Sequence, residues 1–152
     1  FIITVGLSEV WYNKENNQVF WKAIPANKFD DNKHGFRLSS VEENTNNLEN
    51  IYNIIKKNKP NASIIFTLSP IPLMATFRPE SCITANSVSK SILRVSLDNI
   101  ISKYKKNEDI YYFPSFEIVK DYFIDPFMDD NRHLKKESIL EIMKLFEKNY
   151  CF

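Results

Sequence analysis

Three short apolar runs constrain this chain more than any other feature. They are FIITV at 1–5, SIIFTL at 63–68 and DIYYF at 109–113. Each is rich in β-branched or aromatic residues and almost unbroken by polar ones. A strand with one face in water alternates apolar and polar residues. A continuous apolar run marks a strand covered on both faces, as in a parallel sheet. Parallel neighbours need long crossovers, and helical patterns follow each run. Leu48, Ile51, Tyr52 and Ile55 recur at helical spacing, with Pro60 beyond them as a stop. Leu93, Leu97, Ile100 and Tyr104 form a second stripe, and Ile139, Ile142, Met143 and Phe146 a third. The order β-α-β-α-β-α predicts an α/β fold with helices packed on a parallel sheet.

The segments leaving the strands are long. Trp11–Asn44 is a large insertion with a possible hairpin around QVFWKAI. Ser69–Ala85 and Pro114–Leu134 are the other two. All three follow the C-terminal ends of strands, where open α/β sheets bind their ligands.

Charge excludes some partners. The formal net charge is +1, with 43% hydrophobic and 26% charged residues, so no basic surface points to nucleic acid. No apolar run reaches the roughly 20 residues of a membrane helix. Cys82 and Cys151 lack metal-ligand spacing and are expected as reduced thiols. No glycine-rich phosphate loop occurs, so no cofactor is expected, nucleotide or metal. The chain begins with Phe1 in a strand-like run, which reads as a piece of a longer protein. Any targeting segment would then lie upstream, with the cytoplasm favoured as location.

Asp130-Asn-Arg-His133 stands just before the last helical stripe. An acid three residues before a histidine can accept from its Nδ1 and leave Nε2 free as a base. The same two residues would also serve as solvated polar groups at a helix start. His34, in FDDNKHGF, is expected at the surface. Extended towards its N-terminus, the second stripe reaches Lys90 and Asn86, with Ser89 beside them. The face that meets the sheet therefore turns polar near the strand ends. Lysine is seldom buried alone, so Lys90 either snorkels, pairs with a structural carboxylate, or serves a site. Glu9 and Glu117 each fall shortly after a strand and are the candidate partners, with an ion pair to Glu9 expected. Ser69, in SPIPL, lacks the flanking glycines of a strained nucleophile turn and is read as shaping its loop.

Taken together, TVGLSEVW, TLSPIPL, Asn86-x-x-Ser89-Lys90, YFPSFEIV and DDNRH resemble the GSCFA family, which is related to the SGNH/GDSL esterases and acyl hydrolases. The resemblance covers essentially the whole chain. It implies a three-layer α/β/α flavodoxin-like parallel sheet and serine-dependent ester hydrolysis or O-acyl transfer, with acylated glycans as substrates. It maps the base and its orienter onto His133 and Asp130, and the oxyanion block onto Gly6, Ser8 and Glu9. That block usually has Asn where Ser8 stands and Asp where Glu9 stands, so Asn86 is a possible substitute donor. The family's Gly-Ser-Cys-Phe-Ala block, which carries the expected nucleophile, does not occur in residues 1–152. The resemblance thus implies that 1–152 is the C-terminal part of a single domain, with its sheet incomplete and the first strand an exposed edge. The alternative is a non-catalytic glycan-binding module on the same fold, with Trp11 and Trp21 stacking on sugar rings. Oligomeric state is left open.

Overall fold

The computed structural model describes residues 1–151. The three apolar runs form the strands of one parallel sheet: β1 (Ile2–Val5), β4 (Ile64–Leu68) and β5 (Ile110–Phe113), in the order β1-β4-β5. Ile2 is level with Ile65 and Val5 with Leu68, while Ile64 is level with Ile110. Strand β4 is central, so both of its faces are covered, which is why its sequence does not alternate.

Successive side chains along a strand point to opposite faces. On one face, Ile64, Phe66, Leu68 and Ile110 join Leu48 and Tyr52 of α1 (Val41–Asn58) and Leu93, Leu97 and Ile100 of α2 (Cys82–Tyr104) in a single buried cluster. On the other face lies α4 (Lys136–Tyr150), whose Phe146 and Tyr150 rings meet Phe113 edge-on at 5.2 and 5.8 Å. Helices on both faces of a parallel sheet make the three-layer α/β/α, flavodoxin-like arrangement that the sequence predicts.

The helix starts follow local chemistry. Ser40 caps α1 by accepting from the Glu43 N–H at 3.0 Å, and Ser81 caps α2 by accepting from the Thr84 N–H at 3.2 Å. Glu42 and Glu43 lie in the first turn of α1 and Lys56 and Lys57 in its last, matching the helix dipole.

The insertion after β1 differs from expectation. It does form an antiparallel hairpin, but the arms are β2 (Glu9–Asn13) and β3 (His34–Leu38), not the QVFWKAI stretch. That stretch contributes one bridge, Tyr12 to Val19. Tyr12 faces Gly35 across the hairpin, and a Cβ on Gly35 would stand 2.3 Å from Cζ of the Tyr12 ring. The tyrosine therefore lies where any other residue's side chain would begin. The segment after β5 also departs from a plain loop. It opens with α3 (Ser115–Glu117), which runs directly into a π-helical turn over Ile118–Tyr122.

Candidate active site at the strand ends

The C-terminal ends of β1 and β4 are held by one side chain. Lys90 of α2 is 3% exposed, and its Nζ donates to the carbonyls of Gly6 at 3.0 Å and Ser69 at 2.7 Å. These carbonyls lie one residue past each strand, where the sheet ladder no longer supplies partners. The expected ion pair between Glu9 and Lys90 does not form. Glu9 instead accepts from the Thr76 hydroxyl at 2.8 and 3.0 Å. Glu117, the other candidate, accepts from Arg94 Nε at 2.8 Å and from the Tyr112 hydroxyl at 2.8 and 3.0 Å. The strand-end carbonyls outcompete both acids because they already converge on the position that Lys90 reaches from α2. Burial without a carboxylate lowers the Lys90 pKa to about 8.

The rest of the expected oxyanion block turns inward. Ser8 is fully buried, and both its N–H and its hydroxyl donate to Ser89 Oγ, at 2.9 and 3.0 Å. Its carbonyl accepts from the N–H and hydroxyl of Ser39 at 2.7 and 2.8 Å. Ser8 therefore fastens the root of the hairpin to α2 and to the residues that start α1, and it presents no donor to a ligand. At Gly6 a Cβ would meet only Ser69 Cβ at 3.7 Å, so internal packing does not require glycine there. Asn86 accepts the Leu73 N–H at 3.0 Å, which leaves its amide NH₂ without a partner among the described residues. Ser69 acts as a loop-shaping residue: its hydroxyl accepts from the Ile71 N–H at 3.2 Å as the chain turns into Pro70 and Pro72.

Trp11 is enclosed by Phe77, Phe36 and Phe29, with ring centroids 4.7, 5.2 and 5.6 Å away. That enclosure removes it as a platform for a sugar ring. Trp21 is 90% exposed. His34 accepts the Asp30 N–H on Nδ1 at 3.0 Å and stays within the hairpin.

Asp130 and His133 lie together on a tight turn. Phe127 bridges to Leu134, the Met128 N–H donates to the His133 carbonyl at 2.7 Å, and the Lys135 N–H donates to the Pro126 carbonyl at 2.9 Å. The turn closes with Asn131 at φ 53°, a left-handed conformation that Asn tolerates better than most residues. Asp130 Oδ1 accepts the N–H groups of Arg132 and His133 at 3.0 and 2.9 Å, while Oδ2 bonds His133 Nδ1. The histidine bond, then the two backbone N–H groups, hold the Asp130 pKa down at about 2. The carboxylate therefore stays ionised, faces Nδ1 and leaves Nε2 as the free ring nitrogen. Both residues are exposed.

Beside this turn runs a groove of about 630 Å³ between α2 and the turns after β5. Ile83, Asn86, Ser87, Lys90 and Arg94 line one wall, and Phe116, Val119 and Phe123 the other. Phe127 and Asn131 bring the wall up to the Asp130–His133 turn. Sequence reasoning found Asn86 and Lys90 but missed the groove. Its signal is a second helical stripe on α2, at positions 83, 87 and 94, beside the one that faces the core. Ser115 was missed too. Its hydroxyl donates to the Leu68 carbonyl at 2.8 Å and bonds Thr67 Oγ1 at 2.7 Å, fixing the turn after β5 to the end of β4.

Among the described residues no group of three or more His, Cys, Asp or Glu could hold a metal, and no helix is long and apolar enough to cross a membrane. No curated protein and no solved structure matches the chain. The sequence pattern of the GSCFA family matches residues 1–146. That span takes in every strand, all of α1 and α2 and most of α4, and on that extent the chain belongs to the GSCFA family.

Proposed function

We propose that this chain carries the base side of a serine-dependent ester hydrolase or O-acyltransferase acting on acylated glycans. The observation that carries the reading is the Asp130–His133 pair, with the carboxylate on Nδ1 and on the backbone of its own turn and Nε2 left free. In this scheme Nε2 removes the proton from an attacking serine hydroxyl as that oxygen bonds to the acyl carbon. The imidazolium formed is stabilised by Asp130 and returns the proton to the departing alkoxide. A water or acceptor hydroxyl, deprotonated by the same Nε2, then releases the acyl group from the serine. Among the described residues no serine hydroxyl is hydrogen-bonded to His133, and the proposed nucleophile is a serine upstream of residue 1. The relation of the GSCFA family to the SGNH esterases supports this scheme by analogy, and the choice of glycans rests on that analogy alone.

The same missing contact favours a second reading, a glycan-binding module without catalysis. Enclosure of Trp11 weakens it, because the aromatic platform that it needs is reduced to Trp21. One assay separates the two. The full-length protein should release acetate from acetylated sugars and from a chromogenic acetate ester, and His133→Ala should lower the rate by about 10²–10⁴-fold. Full activity in that variant, or no release by the wild type, would remove the catalytic reading.

A further inference from the structure

We propose that the groove between α2 and the turns after β5 binds a carboxylate carried on a sugar ring, so that the substrate is an acylated acidic glycan. This deepens the ester reading and rests on it only in making the anion part of the substrate.

The argument starts from Lys90. A buried ammonium ordinarily has a carboxylate beside it, because an uncompensated charge away from water is costly. Lys90 is 3% exposed, and no Asp or Glu lies within salt-bridge distance of it among the described residues. Two of its three N–H groups go to the Gly6 and Ser69 carbonyls, which leaves one. Burial lowers its pKa to about 8. A ligand anion would supply the missing counter-charge.

The groove matches such a ligand in three further ways. Among the described residues no acidic one lines it, whereas Lys90, Arg94 and Lys120 do. Arg94 is already neutralised by Glu117 and Asp98, at 2.8 and 3.4 Å. Among the described residues Lys120 has no carboxylate partner; it is exposed and lies over the Phe116 ring at 5.6 Å. Two cations are thus uncompensated, one at the floor and one at the rim, between low-dielectric walls that focus their field. Asn86 adds an unused amide NH₂. One ammonium N–H and one amide suit the two oxygens of a carboxylate, where a phosphate would ask for more donors. Finally, Phe116, Phe123 and Phe127 give the walls aromatic surface for a sugar ring, and Asn131 places the groove against the Asp130–His133 turn.

The test is a titration of the full chain with sodium glucuronate and, separately, with glucose, followed by amide NMR shifts. Glucuronate is expected to move the amides of Asn86, Ser87, Lys90 and Asn131 and to bind at least about tenfold more tightly than glucose, a difference of about 1.4 kcal/mol. Lys90→Met, which keeps the stem and removes the charge, should weaken glucuronate by about tenfold or more. Lys120→Glu, at the exposed rim, should weaken it by about threefold or more, and it keeps the test decisive where Lys90→Met does not fold. Equal affinity for the two sugars, no shift at the groove amides, or wild-type affinity in Lys120→Glu would overturn the proposal. The ester reading is separable, because this titration needs no turnover. A His133→Ala protein should still bind glucuronate, and a wild type that binds it yet cleaves no ester sinks the hydrolase reading alone.

Discussion

The two faces of the sheet are finished to different degrees. On the face covered by α1 and α2, Leu48, Phe66, Leu93, Leu97 and Ile100 are all buried, and both helices contribute. On the face covered by α4, no residue of the helix itself is buried, and Met143 and Leu140 remain 47% and 50% exposed. Helix α4 leans on β5 through its aromatic residues and leaves an apolar groove of about 330 Å³ over β1 and β4, where Ile2 is 61% exposed. The Asp130–His133 turn leads into α4, so the proposed base is attached to the loosely packed side. The Lys90 clamp belongs to the tight side. The proposed binding surface and the proposed base thus stand on layers packed to unequal degrees, and lower packing on the base's side leaves it freer to adjust.

The largest expected effect tests the tight face. Phe66→Ala removes a fully buried ring from the central strand and should cost about 3–5 kcal/mol in urea unfolding. Met143→Ala, on the other face, should cost about 1 kcal/mol or less, because half of the side chain is already in water. Similar losses for the two would erase the contrast between the faces. The smallest effect belongs to the turn. Asp130 has its folded pKa depressed to about 2, so its contribution to the turn is present above the ordinary carboxylate value near 4 and is lost as pH falls through the folded value. The difference in melting temperature between wild type and Asp130→Asn should therefore be small and level above about pH 5, and shrink as pH is lowered towards 2. In His133→Ala the Asp130 carboxyl should titrate closer to 4, by carbon-detected NMR, since its largest stabilising partner is gone. A midpoint left near 2 would mean that the two backbone N–H groups suffice and that the histidine is only loosely held.

What was legible in the chain follows from periodicity. The runs at 1–5, 63–68 and 109–113 were within a residue of the strands, because continuous apolar character has few other meanings between helical stripes. The stripes of α1 and α2 were right because every residue in them except Ile51 and the partly buried Ile55 and Tyr104 is buried against the sheet. The hairpin arms were missed, since EVWYN and HGFRL are short and 20 residues of loop separate them. The partner of Lys90 was missed for a different reason. Side chains are written in a sequence, but the direction of a backbone carbonyl is not. An acid four residues past a strand looked like the natural counter-ion, whereas the strand ends themselves supplied two acceptors. Asp130 and His133 were legible because their contact is local, three residues apart, and needs no tertiary information to form.

The clamp at the strand ends also sets an order of events. Strand β1 pairs with β4, some sixty residues on, and its end is fixed by a lysine 84 residues beyond Gly6. Neither partner exists until some sixty residues beyond β1 have been made. An apolar strand made well before its partners and tied down late must wait exposed, and non-local pairing of this kind is slow and prone to aggregation. During synthesis, therefore, β1 is a segment that cellular chaperones would be expected to hold until α2 has been made and docked.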